Sequence, residues 1–390
     1  MEVKNERELN IVAVGDLLVR RKFYEEMRKD PKYSEFIDTL DKADIAFGNL
    51  EAVLCTRGYP YRKPGIVRGD PEIADDLTSI GFDVLSLANN HALDYGAEGL
   101  FEMLEALDRV GIRPVGAGKN LDESLKEVVI EVKGKLVGFL AFSSTLAEGA
   151  AAGPERPGMA PIHVRTAYEI AYPHILISRF RRHPEFNAPR PFYQSLLEEP
   201  GLPPEIRTFP VEEDLLKMQR RIKEVSENTD FLLVSVHWGI PYYLGVTTPD
   251  WHCEYETTVG HSMIDAGADV VIGHHPHRIH GIEVYKKRPI MYSVGNCIST
   301  PSLNQSRARA PAVSPRTFDE GRFRHLMLHA IISEDGDMKF EIMPIRIDEN
   351  GYPFIAIGKE RQSIVDIIKE QSSPYGTNIY HDDNKIIVQI

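Results

Sequence analysis

Five short apolar runs in this chain each stop on a residue able to bind a metal ion. Leu9 to Val14 stops at Gly15-Asp16, Ala43 to Gly48 at Asn49-Leu50-Glu51, and Phe82 to Leu87 at Ala88-Asn89-Asn90-His91. Phe231 to Val236 stops at His237-Trp238-Gly239, and Val270-Val271-Ile272-Gly273 runs into His274-His275-Pro276-His277. Runs of this length, mostly apolar and bounded by turn residues, predict strands buried on both faces. Strands of that kind belong to α/β folds, where ligands gather beyond the carboxyl ends of the strands. If the five strands lie parallel in one sheet, their terminal residues emerge along one edge as a mixed set of oxygen and nitrogen donors.

The segments between them agree with an α/β chain. Leu100, Leu104, Leu107 and Val110 keep a helical spacing that Gly111 ends. Leu215, Met218, Ile222 and Val225 mark a second amphipathic helix, and Val259 to Ala266 a third, stopped by Gly267. Glu127 to Phe142, turning at Lys133-Gly134, and Val284 to Val294, turning at Lys286-Lys287-Arg288, predict hairpins. Ala147 to Pro210 breaks the rhythm with repeated prolines and with Arg179, Arg181, Arg182 and Arg190. It reads as an insertion over one end of the sheet, either a solvated surface excursion or a lid bringing cations to an anionic substrate. The division expected is one domain over residues 1–345, carrying 147–210 as the insertion, and a C-terminal extension, 346–390, packed on it. That extension holds a helix near Ile364 to Lys369 and a last strand, Lys385 to Ile390.

A formal net charge of −13 argues against nucleic acid and anionic membrane as partners, since both require a basic field. An anionic small molecule stays compatible if cations gather locally. Cys55, Cys253 and Cys297 are odd in number and far apart, with no CxxC pair, so the expectation is three buried thiols and no thiolate zinc site. Met1 to Asn10 is charged and lacks an apolar core, and no apolar run approaches the ~18 residues of a membrane span. A cytoplasmic protein without an integral membrane segment is expected; the oligomeric state is open.

Taken singly, most of the strand-end residues have ordinary roles. Asp16 suits a turn or a helix cap, Glu51 a solvated charge, Asn89-Asn90 a turn, and His237 a buried core position. Three histidines within four positions have no comparable structural use. His275 and His277 read as ligands, and His274 as a neighbour that orients them through a hydrogen bond. Asp94 reads as a turn residue placed to cap the helix after it. Lys63 and Arg68, just past Glu51, are candidate cations for a carboxylate or phosphate, against the alternative of a solvated basic loop. Imidazole, carboxylate and amide donors together suit divalent transition ions (Mn, Fe, Zn or Co), and two such ions would share a bridging carboxylate and a bridging water.

The motifs Gly15-Asp16, Gly48-Asn49-Leu50-Glu51, Ala88-Asn89-Asn90-His91-Ala92-Leu93-Asp94-Tyr95-Gly96, His237-Trp238-Gly239, Gly273-His274-His275-Pro276-His277 and Tyr292-Ser293-Val294-Gly295-Asn296 together resemble the CapA family. These are poly-γ-glutamate capsule biosynthesis proteins within the calcineurin-like metallophosphatase superfamily. The resemblance runs from about Leu9 to Asn296; ANNH-x-x-D-x-G and GHHPH are its most specific parts. It implies a four-layer α/β/β/α sandwich with a dinuclear site between two sheets. By position it implies Asp16 and His277 on a first ion, Asn90, His237 and His275 on a second, and Glu51 (or Asn49) in the bridging place. His91 would stand beside them to hydrogen-bond a substrate oxygen or protonate the leaving group, with Asn49, Asn89 and His274 supporting the ligands. The activity implied is hydrolysis by a metal-bound hydroxide of a phosphoester or a γ-glutamyl-like amide. The alternatives are a non-catalytic accessory subunit of capsule synthesis or export, and a nucleotidase-like phosphatase in which Tyr242, Tyr243 or Trp251 would stack on a base. Two positions depart from the pattern. The superfamily's D-x-H is here Asp16-Leu17-Leu18, and Pro241 stands where the family often places a glutamate.

Overall fold

The computed structural model describes residues 8–63, 65–169, 205–239, 253–301, 323–381 and 386–390. Arg179, Arg181, Arg182, Arg190, Pro241, Tyr242, Tyr243 and Trp251 lie outside the described residues.

The five strands form as expected, but they do not share one sheet. Leu9–Leu18, Ile45–Asn49 and Val84–Ser86 lie parallel in a ten-stranded sheet. Phe231–His237 and Val270–His274 lie parallel in a separate six-stranded sheet, with Lys135–Ser143 on the other side of Phe231–His237. Alternation along the strands explains the split. Ile11, Ala13, Ile45 and Phe47 enter one core cluster with Phe139, Phe231, Leu233 and Ile272 of the second sheet. Phe47 stacks on Phe139 with ring centroids 5.7 Å apart. The opposite faces pack on helices. Val12, Val14 and Leu85 meet Phe36, Leu77, Leu100 and Met103, whereas Phe142, Val234, Val236 and Val271 meet Met218, Ile222, Val259 and Met263. A strand that is apolar on both faces needs cover on both. Its sequence does not say whether the cover is a helix or another sheet, so the run pattern alone could not separate the two arrangements.

The helix Gly96–Arg109 is followed by Gly111 at φ +80°, and the helix Glu254–Asp265 by Gly267 at φ +117°. Both expected hairpins are present, Val128–Val132 with Lys135–Ser143 and Ile282–Tyr285 with Arg288–Met291. Lys133, Gly134, Lys286 and Lys287 sit at positive φ, as two-residue turns matched to strand twist require. Toward the C-terminus, Pro353–Ile355, Ile379–His381 and Ile386–Val388 join the ten-stranded sheet. The helix Gly358–Ser372 sends Ile364, Val365 and Ile368 into the cluster between the sheets. In the proline-rich stretch, Gly158–Met159 pairs with Ala117–Gly118, and Val164–Glu169 pairs antiparallel with Glu205–Pro210. The three cysteines are free and buried. Among the described residues no helix is long and apolar enough to cross a membrane.

One close approach sets the end of the first strand. Asp16 N donates to Gly295 O at 3.0 Å, and the register places Asp16 opposite both Asn49 and Asn296. A Cβ on Gly15 would lie 1.8 Å from Gly295 O, so only glycine fits. Gly15→Ala is therefore expected to cost about 3 kcal/mol or more, because backbone rather than a flexible side chain must move. Urea unfolding should show a lower midpoint at unchanged slope; a variant as stable as the parent would rule out this contact.

Candidate metal centre

Strand register and a chain of amides bring the polar ends together. His237 and His274 are partners across the second sheet. Asn89 Nδ2 donates to Leu50 O at 2.8 Å and Asn49 Oδ1 at 3.1 Å, and Asn89 Oδ1 accepts from His91 N at 3.0 Å. Asn49 Nδ2 donates to Asp16 Oδ1 at 2.8 Å and lies 3.2 Å from His237 Nδ1. The loops after three strands of the first sheet are thus fixed to one another and to the second sheet.

Two sets of ligand atoms result, and they share Glu51. Glu51, His237 and His275 offer one atom each, all within 4.8 Å of one another; so do Asp16, Glu51 and His277. In the first set His237 Nε2 lies 3.0 Å from His275 Nδ1, 3.6 Å from Glu51 Oε1 and 2.8 Å from Asn90 Oδ1. In the second, His277 Nδ1 lies 3.3 Å from Asp16 Oδ2, 3.7 Å from Glu51 Oε2 and 2.8 Å from Asn296 Oδ1. His275 and His277 hold φ values of +98° and +56° on either side of Pro276. Such values are uncommon outside glycine and persist where surrounding contacts enforce them; here His275 N donates to Asp16 Oδ2 at 3.2 Å.

Glu51 tests whether cations fit. Both its oxygens are buried and have no hydrogen-bond partner among the described residues. Its neighbours are imidazole nitrogens at 3.6 to 3.8 Å, too far for hydrogen bonds. A carboxylate buried in this way costs several kcal/mol unless a positive charge accompanies it. A divalent ion on either side would remove that penalty, and the mixed nitrogen and oxygen donors suit transition ions. The residues fit the group.

The electrostatics point the same way for His237 and His275, while His277 carries a proton that an ion would displace. Burial pushes the Glu51 carboxyl well above its usual range, with His277 opposing and Asp16 adding. Asp16 is also raised by burial, but His274 and His277 outweigh this and hold it well below. Burial, and then the neighbouring imidazoles, keep His237 and His275 well below their usual range, so both are neutral and have lone pairs to offer. His277 is pushed up to about 9 against its burial, by Glu51 and Asp16.

His91 stands beside this cluster, its Nε2 3.8 Å from Glu51 Oε1. Its Nδ1 lies 2.6 Å from Asp94 Oδ2, which also accepts from Val67 N at 2.7 Å; Lys63 Nζ lies 2.6 Å from Asp94 Oδ1. Burial lowers the His91 pKa, and Asp94 opposes the shift. Asp94 is therefore not the helix cap expected from sequence. The helix starts after Tyr95 with no side-chain cap, because the Asp94 oxygens are taken by His91, Lys63 and Val67.

The structure thus brings together Asp16, Asn49, Glu51, Lys63, Asn89, Asn90, His91, His237, His275 and His277. His274 Nδ1 joins them, 3.2 Å from Asp16 Oδ1. Arg68 is not brought in; it is exposed, its guanidinium 5.3 Å from the Tyr95 ring centroid. Three residues at the cluster were missed. Asn296 follows a short apolar run, the signal used elsewhere, and Asp94 follows His91 by three positions. Arg20, which donates to Thr300 O at 3.0 Å and feels Glu51 and Asp94, carries no local signal.

Residues 10–301 match the model of the family described as "Bacterial capsule synthesis protein PGA_cap". The chain is 26% identical to "Uncharacterized protein y4sH" of Sinorhizobium fredii, over 97% of this chain and 93% of that protein. It is 26% identical to "Capsule biosynthesis protein CapA" of Bacillus anthracis, over 89% of this chain and 69% of that one. It is 28% identical to "Probable polyglutamine synthesis accessory protein" of Mycobacterium tuberculosis, over 65% of this chain and 55% of that one.

Proposed function

The chain belongs to the family of bacterial capsule synthesis proteins, PGA_cap, and we propose that it acts there as a metal-dependent hydrolase holding two divalent transition ions. The observation that carries this reading is Glu51, a buried carboxylate with no hydrogen-bond partner among the described residues, shared by two ligand sets. In this reading Asn90, His237 and His275 hold one ion, Asp16 and His277 the other, and Glu51 both. Such a pair supplies an acidified water and a clamp for the oxygens of a displacement at phosphorus or carbon. His274, Asn49 and Asn296 hold the ligand side chains in place. Asp94 fixes Nδ1 of His91, so Nε2 is the atom at which a proton is held or passed to a leaving group. The substrate class is a phosphoester or a γ-glutamyl-type amide. The fold is read as a four-layer α/β/β/α sandwich, supported by one cluster between the sheets and one under the helices on each outer face. Residues 1–345 are read as its domain, with 147–210 inserted.

Elemental analysis of protein purified without chelator, followed by a panel of phosphodiesters and γ-glutamyl amides, tests this. Two ions per chain are expected, with turnover lost in chelator and restored by Mn, Co or Zn. A metal-free protein whose melting is indifferent to chelator would overturn the reading. One observation favours a second reading, a non-catalytic accessory protein: Asp16 is followed by buried Leu17 and Leu18, so among the described residues His277 is the one imidazole of the Asp16 set. Ions retained with no turnover across the panel would select it.

A further inference from the structure

A cavity of about 210 Å³ opens beside the ligand cluster, and Asn90 belongs to both. Three stretches far apart in sequence form its walls: Tyr61 and Lys63, then Asn90 to Ala97, then Ala147 to Pro157. At ~30 Å³ per water molecule it holds a group of about seven non-hydrogen atoms. Leu93, Ala97, Ala147, Ala150 and Pro157 make much of the wall apolar. The Tyr61 hydroxyl donates to Glu148 O, which ties the loop carrying Lys63 to the segment carrying Arg156.

The charges on the wall do not cancel. Lys63 and Asp94 neutralise each other at 2.6 Å, and Lys63 also donates to the Asn90 carbonyl. Arg156 uses Nε on Ala151 O at 3.1 Å and has no carboxylate partner among the described residues. The helix Gly96–Arg109 begins in the same wall without a side-chain cap, which adds its positive end. Among the described residues of the wall Arg156 is the one uncompensated cation, and a guanidinium above an apolar wall matches a monoanion on a short hydrocarbon stem. A carboxylate pairs with the guanidinium fork through two parallel hydrogen bonds. A phosphate monoester would bring a second charge with no further unpaired cation among the described residues of the wall to meet it.

We propose that this cavity binds a short aliphatic arm of the substrate that ends in a carboxylate, with Arg156 as the specificity-determining residue. That the arm belongs to a substrate rests on the hydrolase reading of the neighbouring centre; that the cavity binds it does not. The test uses the full chain, as purified and again stripped of metal, titrated calorimetrically with valerate, its uncharged isostere valeramide, and propyl phosphate. Valerate is expected to bind both forms, valeramide and propyl phosphate at least ~10-fold more weakly. Arg156→Gln should weaken valerate at least ~10-fold, and Arg156→Lys should recover part of the loss. In the loaded enzyme Arg156→Gln should raise KM for a substrate bearing such a carboxylate and leave kcat and the uncharged analogue nearly unchanged. Valerate failing to bind the parent, binding Arg156→Gln equally well, or binding no better than valeramide or propyl phosphate would overturn the proposal. Valerate binding without turnover of any substrate would instead overturn the hydrolase reading alone.

Discussion

A Glu51→Gln variant is expected to bind neither ion and, stripped of metal, to melt above the stripped parent. Substitutions of buried groups usually destabilise; here the sign reverses because the parent carboxylate has no hydrogen bond to lose. Burial raises the Glu51 pKa above the ordinary 4.5. A group whose folded pKa is raised stabilises the fold below its unfolded pKa, and that contribution is lost as pH rises through the folded pKa. As pH rises above 4.5 the stripped parent therefore gives up this contribution step by step, and the neutral amide does not. A gain of about 1–3 kcal/mol is the scale expected for removing the buried charge while an unpaired amide stays behind, growing as pH rises above 4.5. His237 and His275 act oppositely: their depressed pKa values withdraw stability as pH falls below 6.5. They are common to both proteins; His277 is not, because Glu51 helps to hold its pKa at about 9, and the stabilisation that this charge contributes below pH 9 offsets part of the amide's gain. Loaded with metal, the order reverses. Free metal at 100 times Kd stabilises the parent by about 2.7 kcal/mol for each ion bound, so two ions outweigh the amide's gain, and the variant gains nothing. Thermal melts of both proteins with and without chelator, with metal analysis, decide it. A variant that keeps its ions, or melts below the stripped parent, would make Glu51 an ordinary structural carboxylate.

Much of this centre was legible because strands buried on both faces leave continuous apolar runs. The residue that ends such a run lies at the sheet edge whatever the sheet turns out to be. Asp16, Asn49 and His237 needed nothing more. The division into two sheets was not legible in the runs themselves, because Ile11 and Val12 require apolar cover on opposite faces without specifying what supplies it; only the family resemblance implied it. Asp94 was misassigned because a carboxylate one residue ahead of a helix N-terminal turn suits a cap; its partners Lys63 and Val67 come from a loop about thirty positions earlier. The positive φ values at His275 and His277 had no sign in composition; the residue before a proline, here His275, ordinarily takes extended backbone. Arg20 meets Thr300 across 280 positions, and the Arg156 cavity joins three segments. Both are products of the tertiary fold with no local pattern behind them.

His91→Ala is expected to keep both ions and to lower kcat by about 10²–10⁴, the usual contribution of a positioned acid or base. Retention of metal follows from geometry: His91 belongs to neither ligand set, and its Nε2 stops 3.8 Å short of Glu51. Loss of turnover follows from Nδ1 being committed to Asp94 at 2.6 Å, which turns Nε2 toward the cluster as the one nitrogen free to exchange a proton. Asp94→Asn separates positioning from simple structure. Asp94 raises the His91 pKa against burial, so removing its charge lowers that pKa further. If protonated His91 supplies the leaving group's proton, the alkaline limb of the kcat profile must move to lower pH in Asp94→Asn, with metal content unchanged. The same change leaves Lys63 without its carboxylate partner, so a drop in melting temperature is also expected. A structural defect alone would scale kcat at every pH without moving the limb. Ions lost from His91→Ala would make His91 a ligand, and an unchanged kcat would remove it from the reaction.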